Sequence, residues 1–315
     1  MIGTKKGPLV SVVMSVYNGR PYLAHAVDSI LAQTFRDFEF IIIDDGSTDG
    51  TAEELQKYAV RDARIRLRFQ KRLGLAKALN AGLTVARGKY IARMDADDIS
   101  HPDRLALQME HLLRNSNLVL LGTAFEYIDA KNKYIKTQLL ATGNENLQSL
   151  LVDEGNQFCH PSVIMSADAI QKAGFYRCVA GRHAQDYDLW LRIAGLGEID
   201  NLSTPLLRYR VHESQISIKN LLAQRHSAET YKNLAKIYRS SGKEDVPAAI
   251  KLTNRNLGPF FRSVARDYIH WYNLFQMVDD TKNARLVWLK ALWMFPLNSS
   301  IRQMVLDSMK RCLFK

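Results

Sequence analysis

Two clusters of carboxylates, about fifty residues apart, carry the chemistry that this sequence most plainly offers. Asp44-Asp45-Gly46-Ser47 ends a run of three isoleucines, and Asp95-Ala96-Asp97-Asp98 ends the strand-like run at residues 90–94. In an open α/β sheet, ligands bind outside the carboxyl ends of the strands, so two such clusters can face one pocket. Crowded carboxylates are costly unless a positive group joins them. A divalent metal ion that carries phosphates would meet this requirement.

Each cluster has a functional and a purely local interpretation. Asp95 and Asp97 are two residues apart, so at a strand end they point to the same side. They could share one metal ion, or divide metal and sugar contacts, and oxygen ligands suit Mg²⁺ or Mn²⁺. An Asp-rich turn in which Asp98 caps a helix is the alternative. In the first cluster, a carboxylate could accept a hydrogen bond from a base N–H or a ribose hydroxyl, or the residues could form an ordinary Asp-Gly turn.

Three further positions could take part in such a site. Asp186 lies in an amphipathic stretch. It could be a general base, which requires a carboxylate near the acceptor but not bound to metal, or a surface helix residue. His212 could be a third metal ligand or a structural residue. Lys71 and Arg72 could hold phosphates or a base. The sequence contains no dinucleotide fingerprint, P-loop or nucleophile elbow.

The elements that would position these residues follow an alternating order. Apolar runs predict strands, and helical spacing of apolar residues predicts helices between them. This order predicts an α/β fold with a doubly wound, mostly parallel sheet flanked by helices. The predicted strands are residues 9–16, 38–43, 65–69 and 89–94, and the predicted helices between them are residues 22–33, 51–58 and 75–86.

The rest of the chain is predicted to change from mixed structure to helices near residue 218. We therefore expect one domain at residues 1–218 and a basic helical region at residues 219–315. The predicted later elements are a helix at 102–114, strands at 118–127 and 206–211, and helices with breaks near 240–242, 258–259 and 296.

The positive charge is concentrated in the last third of the chain. The 315 residues carry a formal net charge of +11, and residues 219–315 hold 17 Lys and Arg against 7 Asp and Glu, a balance of +10. A basic region implies an acidic partner, either nucleic acid or an anionic membrane, or else a solvated helical surface. Three cysteines without metal-ligand spacing favour a reducing compartment. We find neither a secretory signal nor an apolar run long enough to span a membrane.

Several fragments, taken in order, resemble the inverting family 2 glycosyltransferases, which have the GT-A fold. The match runs from residue 10 to residue 217, about two-thirds of the chain. Each fragment alone is unspecific, but so many in register are not. They are residues 10–18, 29–35, 44–49, 74–80, 88–98, 102–105, 185–190 and 209–212.

The resemblance implies roles for the residues at matching positions. Tyr17 would lie against the nucleotide base, and Asp45 would bind that base. Asp97 would be the metal ligand proper, with Mn²⁺ or Mg²⁺ as the ion, and Asp95 would reach the ribose or the sugar. Asp186 would be the catalytic base. Together with the positions noted above, the predicted nucleotide-binding residues are Ser15, Tyr17, Asn18, Asp45, Lys71, Arg72 and Asp95, and the predicted metal ligands are Asp97, Asp95 and His212.

Two positions depart from the family pattern. Ser15 stands where the family usually has proline, which should be harmless. Gln185 replaces the usual glutamate, so Asp186 is the only candidate carboxylate at that point.

The implied function is metal-dependent, inverting transfer of a sugar from a UDP-linked donor to a glycan or lipid-linked acceptor, as in the synthesis of bacterial surface polysaccharides. A sugar-nucleotide pyrophosphorylase is an alternative, but it would carry a Gly-rich basic loop where this chain has Tyr17-Asn18-Gly19. A non-catalytic carbohydrate- or membrane-binding protein on a transferase scaffold is another. It would not need Asp97 or Asp186.

The aromatic residues of the basic region also have two interpretations. They could insert shallowly into an anionic membrane, or they could form the core of a helical subdomain. The aromatic residues in question are Phe260, Phe261, Trp271, Tyr272, Trp288, Trp293 and Phe295.

A chain of this kind is expected in the cytoplasm, peripheral to the inner face of the membrane, with no nucleic-acid partner.

Overall fold

The structure is a computed structural model that describes residues 7–179, 183–212, 220–255, 257–277 and 280–294. The chain forms two compact units. The first consists of the chain up to Tyr127, Lys136–Gly181 and Gln185–Arg210, and the second consists of Ile128–Ile135, Arg182–Ala184 and the chain from Val211. The boundary predicted near residue 218 lies outside the described residues.

The first part of the chain alternates strands and helices, as the sequence predicts. The elements are β1 (Val10–Val16), α1 (Arg20–Leu31), β2 (Phe38–Asp44), α2 (Thr51–Arg61), β3 (Ile65–Phe69), α3 (Leu75–Val85) and β4 (Tyr90–Asp95). Their strands lie in the order β3-β2-β1-β4, and all three neighbouring pairs are parallel. This half of the sheet is the doubly wound arrangement that the alternation implies.

Burial explains why these segments take these forms. Strand β2 is buried along its whole length, as expected of an inner strand in a parallel sheet that helices cover on both faces. The buried residues of α1 are Leu23, Ala26, Val27 and Ile30, which follow helical spacing. Gly82 lets α3 approach the sheet closely, because a Cβ at that position would lie 2.6 Å from Val13 Cγ1.

The second part of the sheet is antiparallel. After β4 come β5 (Ile99–Ser100), α4 (Arg104–Arg114), β6 (Leu118–Ile128), β7 (Tyr134–Gln138), α5 (Asn144–Asp153), a 3-10 turn (His160–Ser162), β8 (Ile164–Ser166), α6 (Ala167–Ala173), α7 (Gln185–Ile193) and β9 (Glu198–Arg210). Within the described residues the sheet has nine strands and continues from β4 as β8-β6-β9-β5, with β7 beside β6. Strand β8 is antiparallel to both β4 and β6, and β5 is antiparallel to β9.

One strand is longer than the sequence predicts. The strand expected at residues 206–211 is the end of β9, which begins at Glu198. Residues 200–205, four of which are polar, interrupt the apolar pattern, and Ser203 and Thr204 in the middle of β9 are exposed. The hydrophobic pattern therefore does not predict this part of the strand.

The second unit is helical in its main described part. Its helices are α8 (Leu221–Ser241), α9 (Val246–Arg255), α10 (Leu257–Met277) and α11 (Thr281–Met294). The break predicted near residues 240–242 is present, because Gly242 ends α8 with a left-handed conformation (φ 71°). The break predicted near Gly258 and Pro259 is found two to three residues earlier, since α9 ends at Arg255 and α10 begins at Leu257 and includes both residues. A proline is tolerated in the first turn of a helix, where N–H groups have no intrahelical partner. The break predicted near residue 296 lies outside the described residues.

Some of the aromatic residues of this unit form its core. Trp271, Tyr272 and Phe275 of α10 are buried, which favours the core interpretation for Trp271 and Tyr272. The side chains of Phe260, Phe261, Trp288 and Trp293, and the whole of Phe295, lie outside the described part of the structure. None of the helices in the described ranges is both long enough and apolar enough to cross a membrane.

Candidate active site

The carboxyl ends of β2 and β4 lie on either side of the end of β1. Ser15 of β1 is opposite Ile43 of β2 and Asp95 of β4, and Val16 is opposite Asp44. The two acidic clusters therefore leave the sheet at the same edge, which is where ligands bind in open α/β sheets. Ser15 is partly buried between them.

Asp45 is buried, and the loop at residues 70–74 supplies hydrogen bonds to both of its oxygens. Oδ1 accepts hydrogen bonds from Gln70 Nε2 at 2.7 Å and from the Leu73 backbone N–H at 2.9 Å. Oδ2 accepts one from the Gly74 backbone N–H at 2.8 Å. Asp45 therefore holds in place the loop that carries the two predicted basic residues, a role that the sequence did not indicate.

Asn18 joins the turn after β1 to the loop after β2. Its backbone N–H donates to Ser47 Oγ at 2.9 Å, and its Oδ1 accepts from the Thr48 N–H at 2.8 Å. In the same loop, Asp49 accepts from Thr51 Oγ1 at 2.6 Å. Burial alone would raise the pKa of Asp49, but its hydrogen bonds, led by the one from Thr51, lower it. We call residues 17–19, 44–51 and 70–74 together the loop cluster.

Tyr17 and Arg72 form a stacked pair on the surface of the loop cluster. The Arg72 guanidinium carbon lies 3.8 Å from the centre of the Tyr17 ring, and Arg72 Nη1 donates to the Tyr17 hydroxyl at 3.0 Å. The Tyr17 ring is 38% exposed, and the neighbouring Lys71 is exposed as well. The pair presents an aromatic ring and positive charge to solvent, which suits the binding of a base or a phosphate.

Asp95, Asp97 and Asp98 form what we call the acidic cluster. One oxygen from each lies within 4.8 Å of the others. The fully buried Arg93 brings its Nη2 to 2.6 Å from Asp95 Oδ1. Burial raises the pKa of Asp95, Arg93 lowers it, and Asp97 raises it further, with a rise as the net result. One arginine therefore does not offset the crowding of three carboxylates.

Asp98 is the most buried member of the acidic cluster. Its Oδ1 accepts from the Arg210 backbone N–H at 2.8 Å, whereas its Oδ2 is buried without a hydrogen-bond partner among the described residues. Burial, followed by the charges of Asp97 and Asp95, raises its pKa well above the usual value. Three crowded carboxylates, one of which has a buried oxygen without a partner in the described structure, fit a divalent cation such as Mg²⁺ or Mn²⁺.

Asp186 belongs to the first turn of α7 rather than to the acidic cluster, and it is close enough for its charge to raise the pKa of Asp95. Its Oδ2 accepts from Asn156 Nδ2 at 3.3 Å. Burial raises the pKa of Asp186, and backbone N–H groups of the first helical turn partly oppose that rise. A carboxylate of raised pKa, near the acidic cluster but separate from it, has the properties of a general base.

The last predicted ligand follows the end of β9. Arg210 is buried there, with its Nε donating to the Asp97 carbonyl at 2.6 Å and its guanidinium over the Tyr22 ring at 4.5 Å. His212 lies two residues further on, in the second unit, and is partly buried. Its role as a third metal ligand stays a prediction.

Three residues of this region, namely Arg93, His160 and Tyr176, were not among the predicted site residues. Arg93 could have been predicted from the sequence. It lies inside a strand expected to be buried, two residues before Asp95, and a buried arginine must be paired or functional. Tyr176 and His160 form a partly buried hydrogen bond, with 2.9 Å between the Tyr176 hydroxyl and His160 Nε2. No sequence pattern brings these two together, since one follows α6 and the other begins the 3-10 turn before β8.

The sequence of the transferase-like region matches a known family directly. Residues 11–173 match the profile of Glycosyl transferase family 2. The chain belongs to this family. Among its relatives within the family, the O-antigen biosynthesis glycosyltransferase WbnJ of Escherichia coli is 38% identical over 65% of this chain and 80% of its own length. Chondroitin synthase of Escherichia coli is 30% identical over 71% of this chain and 32% of its own length.

Solved structures agree with the fold of this family 2 glycosyltransferase. TarS 1–349 of S. aureus has a TM-score of 0.58 at 18% identity, and the superposition covers 88% of this chain and 89% of the TarS chain. It has also been solved with UDP-GlcNAc and with UDP. The mannosyltransferase PcManGT of Pyrobaculum calidifontis, solved with GDP-Man and Mn²⁺, has a TM-score of 0.57 at 17% identity over 97% and 85% of the two chains. The predicted GT-A fold is confirmed.

Proposed function

We propose that this glycosyltransferase moves a hexosyl or N-acetylhexosaminyl group from a UDP-linked sugar to a hydroxyl group of a glycan or lipid-linked acceptor, with inversion at the anomeric carbon and with Mn²⁺ or Mg²⁺. The observation that carries the proposal is the pairing of the acidic cluster at the end of β4, in which Asp98 Oδ2 is buried without a hydrogen-bond partner among the described residues, with a separate, partly buried carboxylate on α7. A non-catalytic binding protein would need neither feature. The relationship to WbnJ supports a surface polysaccharide as the acceptor.

The acidic cluster would hold the metal ion. Asp97 and Asp95 would supply oxygen ligands, and His212 is the proposed third ligand. The buried Asp98 Oδ2, which has no partner in the described part of the chain, makes the cluster receptive to positive charge. A bound divalent ion would neutralise the charge that develops on the leaving diphosphate. Arg93 partly compensates the metal-free cluster through its contact with Asp95.

Asp186 would act as the general base. Its carboxylate takes the proton of the acceptor hydroxyl while the hydroxyl oxygen forms a bond to the anomeric carbon. The bond from that carbon to the diphosphate oxygen breaks on the opposite face, and the nucleoside diphosphate leaves with the bonding electrons. A single displacement of this kind inverts the anomeric centre.

The loop cluster, with Ser15 at its base, would bind the nucleotide. The exposed ring of Tyr17 would lie against the base, and Lys71 and Arg72 would offer charge to the base or the phosphates. Asp45 and Asn18 would contact the nucleotide at its base, and they also hold the loops of the cluster in place. Structures of TarS with UDP and UDP-GlcNAc support a UDP-linked donor, and PcManGT with GDP-Man makes GDP-mannose the natural competitor to test.

The test is to incubate the protein with a panel of nucleotide-sugars, with and without Mn²⁺, and to determine the mass and anomeric configuration of any product. Asp186→Asn should keep donor binding and lower the transfer rate by about 10²–10⁴-fold. Asp168→Asn, which changes an exposed acid on α6, is the matched control and should transfer normally. Because the pKa of Asp186 is raised, kcat should fall as the pH drops through a value above that of an ordinary aspartate. Retention of configuration, or normal transfer by Asp186→Asn, would contradict the proposal.

A lipid-linked acceptor would be met at an anionic membrane surface, and α11 has the surface for this contact. Its exposed residues include Leu286 and Leu289, whereas Ala284, Val287 and Ala291 are buried. No Asp or Glu occurs in the sequence of α11. Basic side chains contribute about 1 kcal/mol each near anionic lipid, and exposed leucines can insert shallowly. The basic residues on the exposed side of α11 are Lys282, Arg285 and Lys290.

Co-sedimentation with vesicles tests this contact. The full-length protein should bind vesicles of phosphatidylglycerol at low salt and release them at high salt. The triple replacement of Lys282, Arg285 and Lys290 by Gln should abolish binding. A control replaces three exposed basic residues around α9, namely Lys243, Lys251 and Arg255, by Gln. Equal binding by both triple variants would exclude α11 as the contact.

A further inference from the structure

Tyr176 lies near the residues that surround both the acidic cluster and Asp186, the proposed base. It is 4% exposed, and its hydroxyl is 2.9 Å from His160 Nε2. Burial raises the pKa of Tyr176, Arg93 lowers it, and Asp186 and Asp95 raise it. The 3-10 turn that begins with His160 packs against β4, and α6, which ends three residues before Tyr176, packs against α7. Tyr176 therefore links elements that adjoin β4 and α7.

The backbone at Tyr176 is held by side chains from two helices. Asn80 of α3 donates its Nδ2 to the Tyr176 carbonyl at 2.8 Å and accepts from the Tyr176 N–H at 3.1 Å. Arg192 of α7 donates its Nη2 to the Phe175 carbonyl at 2.9 Å, and its ion pair with the buried Asp188 measures 2.7 Å. These contacts hold the backbone of Phe175 and Tyr176 in place and leave the tyrosine hydroxyl for its bond to His160.

His160 carries the contact onward to the helix of the base. Its ring centre lies 5.8 Å from that of Trp190, which is fully buried on α7. Trp190 is four residues after Asp186, so the two side chains emerge on the same side of the helix, one turn apart. Burial and the charge of Arg93 hold the pKa of His160 well below its usual value. The neutral imidazole and the phenol therefore share a single uncharged hydrogen bond.

We propose that Tyr176 is a positioning residue which, through its hydrogen bond to His160, holds the first turn of α7 and its Asp186 at the correct distance from the acidic cluster of β4. This inference rests on the proposed function of Asp186. Displacing a reacting group by about 1 Å can cost about 10²-fold in rate, so one hydrogen bond between two fixed rings is enough to matter.

The test begins with Tyr176→Phe, which keeps the ring and removes the hydroxyl. We expect kcat to fall by about tenfold, while the KM for the donor and the affinity for Mn²⁺ and UDP in calorimetry stay unchanged. His160→Ala should lower kcat in the same way, and the double variant should be no slower than either single variant, because both remove one interaction. His160→Gln, whose amide can still bond the phenol, should recover part of the loss.

Tyr187→Phe is the matched control. Tyr187 is also buried, it is next to Asp186 on α7, and its hydroxyl donates to the Leu151 carbonyl at 2.6 Å. Tyr187→Phe should lose comparable stability and keep a normal kcat. If Tyr176→Phe lowers kcat no more than Tyr187→Phe, or if its loss appears only in the donor KM, the inference is wrong. If Asp186→Asn keeps normal transfer, the proposed base fails instead, whatever the result with Tyr176.

Discussion

The ends of β2 and β4 both carry aspartates, and the protein treats the two groups in opposite ways. At the end of β2, Asp45 accepts three hydrogen bonds from the loop at 70–74, and Asp49 accepts bonds from Thr51. At the end of β4, Asp98 has one oxygen without a partner in the described structure. A carboxylate with donors on both oxygens becomes part of the scaffold, whereas a crowded carboxylate with one buried oxygen left without a donor would be stabilised by a cation.

The contrast also separates stability from function. The loop cluster lowers the free energy of the folded state, because its carboxylates are hydrogen-bonded. The acidic cluster raises that free energy, because burial and like charges both oppose ionisation there, and a bound cation would relieve this cost. Sites that are costly to the metal-free fold are typical of catalytic regions. Substitutions in the two clusters should therefore have opposite effects on stability.

The largest effect is expected from Asp97→Ala. Turnover should fall by at least about 10²-fold, and the heat of Mn²⁺ binding in the presence of UDP should disappear. The melting temperature of the metal-free protein should be unchanged or higher, because a like charge beside Asp95 and Asp98 is removed. Calorimetry and thermal unfolding measure the two parts. An unchanged affinity for Mn²⁺ would remove Asp97 from the metal site.

Glu39→Gln should produce the next largest effect, and it extends the comparison to the buried length of β2. Glu39 accepts from Ser11 Oγ, Arg66 Nη1 and Arg87 Nη2, each at 2.7 Å. Burial alone would raise its pKa, but these bonds, led by that of Arg87, lower it below the ordinary 4.5. Its stabilisation is therefore present above about pH 4.5 and is lost as the pH falls through the lower folded value.

We expect Glu39→Gln to lower the free energy of unfolding by about 2 kcal/mol at pH 7, and by much less at pH 3. Urea unfolding at the two pH values measures the difference. A loss of equal size at both would mean that the ionised carboxylate is not the stabilising group.

The smallest effect is expected from Asp45→Asn. The amide keeps one oxygen acceptor but sets an NH₂ group against one of the loop donors, so stability should fall by about 1 kcal/mol. The donor KM should rise because the loop with Arg72 loosens, whereas Mn²⁺ affinity without nucleotide should not change. Asp98→Asn is the paired variant, and it should not destabilise the metal-free protein. If Asp98→Asn destabilises the protein as much as Asp45→Asn does, the two clusters do not differ in their effect on stability.

The sequence predicts the parallel half of the fold well because its signals are local. Each strand there is a short apolar run, and each helix has a regular apolar face, so neither depends on distant residues. Strand β9 was predicted only in part, because residues 200–205 show no continuous apolar pattern, although the strand lies between β6 and β5 in the sheet. The break between α9 and α10 was predicted two to three residues too late, because Gly258 and Pro259 resemble a break but lie in the first turn of α10.

The site was predicted less completely, and for the same physical reason. The positions of Asp95, Asp97 and Asp186 follow from motifs. The structural work of Asp45 depends on donors about 25–29 residues away, and the hydrogen bond between Tyr176 and His160 depends on how α6 and the 3-10 turn pack. Sequence spacing carries no information about such contacts until the topology is known.

The place of β8 in the sheet has a consequence for synthesis on the ribosome. One edge of β4 pairs with β1, and the other pairs with β8 through Ile91 and Met165. Some seventy residues separate β4 from β8 in the chain, which at about 5–20 residues per second is several seconds of translation. During that interval the parallel half can assemble while the apolar edge of β4 stays open, and open edges invite pairing with other chains. Slower translation of the segment between β4 and β8 should therefore increase aggregation of the nascent chain.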